Sequence, residues 1–267
     1  MNASDIKFRC SGLYSIMTHE KATELQKGHI TQCRKTYRSL RFDREPEYIT
    51  KYTEKGVLAE EDGITLLSRY LFKLTGNPVV LKKNDERVEN EWISGHPDCY
   101  IGESITAATA GFDIKCSWDI HSFPMPDEKL DASYEWQNRG YMWLTGAKKW
   151  STAYCLVNAP AYMITREKEK VWYSMGQPSE DNERFVEHLV KIEKNMIFDM
   201  AQFRKENPNT DLEVLNRDLW RHDMPLEERV LLFTINRDTD YEDRIKSRVE
   251  LCRNYILNNL VNAKAQE

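Results

Sequence analysis

Apolar residues recur at helical spacing in four stretches of the chain. From Met17 to about Leu40 the pattern is helical and basic. A second run, from about Gly56 to Leu74, gathers Leu58, Ile64, Leu67, Tyr70 and Leu71 on one stripe, and Gly76-Asn-Pro78 stops it. A third, from Asp181 to Phe203, repeats Phe185, Leu189, Ile192 and Met196 at spacings of four, three and four. The last aligns Ile245, Val249, Cys252 and Ile256. Among them lie strand-like runs: Val79–Lys83, Arg87–Ile93, a short one near Cys99, Gly111–Cys116, Ser151–Val157 and Val230–Ile235. Pro124 and Pro126 mark a loop, after which Asp131-Ala-Ser133 can cap a helix reaching about Leu144.

Helix, strands, helix, strand and flanking helices describe an α/β fold, a mixed central β-sheet flanked by helices. No repeat, low-complexity stretch or long linker interrupts residues 1–267, which read as a single domain.

Composition narrows the setting. With 40% hydrophobic and 30% charged residues the chain reads as soluble and globular. No apolar run approaches the roughly 20 residues of a membrane span, so no membrane partner is expected. Met1-Asn-Ala-Ser-Asp-Ile-Lys7 lacks a basic-then-apolar signal, which predicts a cytoplasmic protein. The six cysteines form no C-x-x-C pair, so zinc and disulfides are not expected and buried thiols are. A net charge of −5 hides a basic cluster, Arg34, Lys35, Arg38, Arg41 and Arg44, opposed by Asp43 alone. That cluster is either a solvated helix face or a phosphate-binding surface.

Candidate chemistry centres on Phe112-Asp113-Ile114-Lys115. In an extended strand Asp113 and Lys115 share one face, while Ile114 points into the core. A second carboxylate, Asp98 in Gly95-His-Pro-Asp98, lies fifteen positions earlier. Two hard oxygen anions and an ammonium suit Mg²⁺-assisted attack of water on a phosphodiester. Glu60 lies four before Ile64 and seven before Leu67, so it shares or borders their core-facing stripe. A carboxylate there requires a partner or a metal. Tyr134, Gln137 and Tyr141 fall on one helix face at offsets of three and seven. Each motif alone is weak; their order, spacing and placement on strand, strand and helix carry the argument.

These residues resemble the PD-(D/E)xK nuclease superfamily, and within it the lambda-exonuclease and YqaJ-like viral recombinase branch of RecB-like proteins. The matching segments are Lys55-Gly-x-x-x-Glu60, Gly95-His-Pro-Asp98, Asp113-Ile-Lys115-Cys-Ser and Tyr134-x-x-Gln137-x-x-x-Tyr141-Met-Trp143. They span about residues 9–158, the nuclease core, with an extension over about 159–267. The resemblance implies a restriction-endonuclease-like core and a Mg²⁺-dependent DNA exonuclease, with Mn²⁺ able to substitute. It implies digestion from duplex ends, 5′ to 3′, in phage-type homologous recombination within a bacterial or phage-infected host.

By the same resemblance, Asp98, Asp113, the Ile114 carbonyl and Glu60 are metal ligands, and Lys115 steadies the attacking water. Gln137, Tyr141 and Tyr134 hold the scissile strand. Arg9-Cys-Ser11, followed by Lys21, resembles a pocket for a 5′ phosphate, although an ordinary N-cap serine among surface charges reads equally well. Arg34 and Arg38 would hold DNA backbone phosphates. A single-strand annealing protein as partner and a trimeric ring are also implied. No iron–sulfur cluster is expected, because only Cys252 lies late in the chain. The strand motif has Asp113 where many relatives have Glu. The alternatives are an endonuclease on the same site and a catalytically inactive DNA-binding recombination protein.

Overall fold

The computed structural model describes residues 1–19, 21–45, 49–221 and 223–262. The first half of the chain runs β1 (Phe8–Arg9), α1 (Leu13–Met17), α2 (Lys27–Phe42), α3 (Lys51–Leu58), α4 (Glu60–Thr75), β2 (Lys82–Lys83), β3 (Val88–Glu89), β4 (Ile93–Gly95), β5 (Cys99–Gly102) and β6 (Ala108–Cys116). The second runs α5 (Ala132–Thr145), β7 (Lys149–Cys155), α6 (Ala161–Ser174), α7 (Glu183–Met196), α8 (Met200–Glu206), α9 (Glu213–Asn216), β8 (Val230–Asn236) and α10 (Asp240–Ile256).

A mixed five-stranded sheet in the order β2-β5-β6-β7-β8 forms the centre of the α/β fold. Within this sheet β6 and β7 pair in parallel and the other described pairs are antiparallel, with α5 making the crossover between β6 and β7. Alternation along β6 and β7 divides the side chains between two layers. Phe112, Ile114, Ala153 and Cys155 join Leu66, Leu67 and Leu71 of α4 on one face. Trp150 joins Tyr141 and Met142 of α5 on the other, in a cluster that extends to Tyr241, Ile245, Val249 and Cys252 of α10. Gly111 pairs with Trp150, and a Cβ at Gly111 would stand 2.2 Å from the indole Cη2, so only glycine lets that ring lie on the sheet.

A small sheet, β1-β4-β3, leads directly into His96-Pro97-Asp98. A third cluster, around Met163, Met196, Ile197 and Phe203, binds α6 to α8 together. The last third of the chain is integral to the sheet, since β8 supplies an outer strand along the whole of β7.

Three expected elements are divided in the structure. The helix over 56–74 is two helices that meet at Ala59, whose ψ of 7° leaves helical geometry. The strand over Arg87–Ile93 is a hairpin, because Asn90 Oδ1 accepts the N–H groups of Trp92 and Ile93 and turns the chain. The helix over 181–203 breaks at Phe198–Asp199, where Asn158 Oδ1 accepts both N–H groups and Asp199 caps α8 at Gln202 N. Helix α6 was not anticipated. Asp131 caps α5 as expected, accepting from Ser133 N at 2.7 Å. Five of the six cysteines are buried and Cys116 is half-buried, all as free thiols.

Candidate active site

Strand β6 presents Asp113 and Lys115 to the α5 side of the sheet. Asp113 is 1% exposed, and its Oδ2 lies 2.6 Å from Lys115 Nζ. Across the layer, Gln137 Nε2 donates to Asp113 Oδ1 at 3.0 Å. The same amide donates to the Tyr141 hydroxyl at 2.8 Å, and that hydroxyl donates to the His96 carbonyl at 3.2 Å. A continuous polar chain thus joins the His96–Asp98 turn to the β6 carboxylate.

Asp98 enters from the other side. Its Oδ2 accepts the Ile114 N–H at 2.6 Å, which seats the carboxylate on β6 between Asp113 and Lys115. Asn84 fixes the turn from below: its Nδ2 donates to the Pro97 carbonyl at 2.9 Å and its N–H donates to the Asp98 carbonyl at 2.9 Å. Burial first, then the nearby Asp113 charge, push the Asp98 carboxyl up to about 7, against the pull of Lys115 and the Ile114 N–H. Burial pulls the Lys115 ammonium down, but the carboxylates of Asp113 and Asp98 outweigh it and hold the group above the ordinary lysine value. Two acids and one cation therefore converge at one point of the sheet.

The remaining expected residues fall in different places. Glu60 is the first residue of α4, half-buried, and its Oε1 lies 3.2 Å from Lys83 Nζ; Glu61 pairs with the same lysine. Its charge contributes to the rise at Asp98, so it borders the site with a cation for partner. Tyr141 is 4% exposed, packed at 5.3 Å between ring centroids from Trp150. A Cβ at Gly95 would stand 2.7 Å from its ring, so glycine admits the tyrosine beside β4. Such an inward ring orients Gln137 and the His96 turn and leaves no face for a DNA strand. Tyr134 is half-buried, with Lys115 Nζ 4.9 Å from its ring centroid, which sets it beside the lysine.

Arg9 and Ser11 share a cleft of about 800 Å³ with Lys35, Arg87 and Ser94. Parallel pairing sets Arg9 beside Ser94, one residue before the glycine that begins the Asp98 turn. Arg9 pairs there with Glu45 at 2.9 Å. Lys21 lies outside this cleft, in depressions lined by His19 and Trp136 and by Arg244 and Arg248, which corrects its expected grouping with Arg9 and Ser11. Arg34 and Arg38 are exposed on α2 and do not line the cleft, whereas Lys35 on the adjoining face does. Ser94, Arg87 and Asn84 escape the sequence reading, which has Lys35 as a member of the basic cluster.

Asp98 and Asp113 offer hard oxygen donors, and their mutual repulsion is the kind a divalent cation relieves, so the pair fits Mg²⁺ by chemistry. Among the described residues no three His, Cys, Asp or Glu side chains are gathered closely enough to form a ready-made metal cage. Glu60 stands apart with Lys83.

No family model and no curated protein sequence matches the chain. Solved structures do. A phage-related exonuclease from Haemophilus somnus 129PT is 26% identical with a TM-score of 0.63, over 97% of this chain and 96% of that one. An alkaline exonuclease from Laribacter hongkongensis has the same fold at 13% identity and a TM-score of 0.55, over 97% and 92% of the two chains. That enzyme in complex with dAMP gives 14% identity and 0.56, over 99% and 95%. With the carboxylates, lysine and glutamine brought together, the chain shares the fold of these phage-related and alkaline exonucleases, in line with the resemblance of its motifs to the lambda-exonuclease and YqaJ-like branch of PD-(D/E)xK nucleases.

Proposed function

We propose that the chain is a Mg²⁺-dependent deoxyribonuclease that digests duplex DNA from its ends. The observation that carries this reading is the convergence of Asp98, Asp113 and Lys115 on β6, braced by Gln137. Asp98, Asp113 and the Ile114 carbonyl, with Glu60 beside them, would hold the ion. Bound there, Mg²⁺ (or Mn²⁺) supplies Lewis-acid neutralisation of the scissile phosphate. Lys115 holds the attacking water and offsets charge that develops on phosphorus. Gln137 keeps the Asp113 carboxylate in one rotamer, and Tyr134 lines the entrance for the scissile strand.

Direction is supported by the cleft beside the Asp98 turn. Arg9, Lys35 and Arg87 with the hydroxyls of Ser11 and Ser94 suit a terminal phosphate. Held there, a 5′ phosphate puts cleavage on the 5′ side and digestion runs 5′ to 3′. The exposed Arg34 and Arg38 suit backbone phosphates, which position DNA without reading its sequence. The whole chain acts as one nuclease domain, since β8 and α10 complete the sheet and its cover. The motif resemblance further implies a role in recombination beside a single-strand annealing protein, in a trimeric ring, and likeness to a phage-related exonuclease supports the phage setting alone.

The test is digestion of end-labelled linear duplex with and without Mg²⁺, beside a closed circle. Mg²⁺-dependent loss of the linear DNA alone is expected, with the 5′ label released first. Cleavage of the circle would make the protein an endonuclease on the same site. No cleavage with Mg²⁺ or Mn²⁺ would leave a DNA-binding protein without catalysis.

A further inference from the structure

Lys55 is 0% exposed, and among the described residues no carboxylate pairs with it. Its ammonium donates instead to three backbone carbonyls: Ser117 at 2.7 Å, Val157 at 2.9 Å and Trp118 at 3.1 Å. All three of its hydrogens are thereby used. The first and last acceptors lie just past the end of β6, two and three residues beyond Lys115, and the other lies just past the end of β7. From the helix side, the Lys55 carbonyl accepts the Ala59 N–H at 2.9 Å. The Ala59 carbonyl in turn accepts from Cys116 Sγ at 3.2 Å. Ala59 is the joint between α3 and α4, and the next residue is Glu60.

A buried ammonium is costly to desolvate, and a methionine or leucine would fill the same volume at less cost. What the ammonium adds is a directional tie among three segments that no apolar side chain could register. We propose that Lys55 is a positioning residue for the metal site. It locks the joint carrying Glu60 against the strand carrying Asp113 and Lys115, so that the outlying carboxylate stands at a set distance from the other two. This inference rests on the metal-dependent reading above.

The experiment is a double-mutant cycle on the full chain with Lys55→Met, Glu60→Gln and both together. Two quantities are measured: the Mg²⁺ concentration for half-maximal cleavage of linear duplex, and calorimetric binding of Mn²⁺ alone without DNA. Lys55→Met is expected to weaken both by about tenfold, as loss of a group that orients a metal ligand does. In the Glu60→Gln background it is expected to add nothing, because the tie acts through Glu60. An unchanged metal response with only a lowered Tm, or full additivity with Glu60→Gln, overturns the proposal. Should Lys55→Met fail to fold, Cys116→Ala, which removes the strand-side donor to the Ala59 carbonyl and leaves it only the Gly63 N–H of α4, runs through the same cycle. A smaller shift in the same direction supports the proposal, and no shift overturns it. A wild-type protein indifferent to divalent ions would instead overturn the parent reading.

Discussion

Gln137 reaches from α5 across the layer to Asp113 on β6, amide nitrogen to carboxylate oxygen at 3.0 Å, and the same nitrogen carries the Tyr141 hydroxyl. The glutamine therefore acts on the carboxylate's orientation. Gln137→Leu removes a donor from two buried oxygens and is expected to cost about 1–3 kcal/mol in denaturant unfolding. Cleavage should fall about 10–100-fold, in line with other groups that orient a ligand. A near-native rate in the folded variant would remove Gln137 from the site.

Asp113 and Lys115 separate catalysis from stability. Lys115→Met strands a buried carboxylate and is expected to destabilise the protein by about 3–5 kcal/mol. Asp113→Asn keeps the shape and leaves the lysine with partial access to water, so its cost should be smaller. Both should abolish cleavage while end-binding, measured by fluorescence anisotropy, persists. Either variant cutting at near wild-type rate would mean that the site is wrongly assigned.

Asp98 gives the metal-free protein a pH signature. Its carboxyl titrates near 3.8 in the unfolded chain and about 7 in the fold. Within that window the folded state holds a proton that the unfolded state has lost, so stability falls as pH rises from about 4 to about 7. Metal must displace the same proton, so affinity for Mg²⁺ should climb through the window and level off above it. Asp98→Asn should flatten the slope of Tm against pH. A slope unchanged in that variant would assign it to another group.

The cationic residues should divide by role. Arg34→Ala or Arg38→Ala is expected to reduce the slope of log affinity against log salt by about 1, irrespective of DNA sequence or end chemistry. Arg9→Ala should chiefly erase the preference for a 5′-phosphorylated over a 5′-hydroxyl end. Equal loss on both ends would make the Arg9 cleft another backbone contact.

Much of the site was legible because it is local. The alternation of β6 puts Asp113 and Lys115 on one face whatever surrounds them, and Tyr134, Gln137 and Tyr141 share a helix face by spacing alone. Other features depend on residues distant in sequence. Nothing near Asn84 announces that it will hold the Asp98 turn, and nothing near Lys55 announces three carbonyls just past the ends of β6 and β7. Tyr141 was legible as a site neighbour but not as a buried one. Its inward position follows from contacts with Gly95 and Trp150 on two other strands. Glu60 was legible as an acid needing a partner, whereas the partner, Lys83, comes from the edge strand of the sheet.

Periodicity and residue chemistry thus suffice for the α/β class, most element positions and the identity of the acidic pair with its lysine, because hydrophobic spacing and side-chain alternation act within a few residues. Tertiary packing alone decided where helices broke, that Arg9 meets Ser94 while Lys21 does not, and which groups hold the carboxylates in place. Those outcomes arise where segments tens of residues apart compete to satisfy the same buried polar atoms, a contest that no single stretch of chain records.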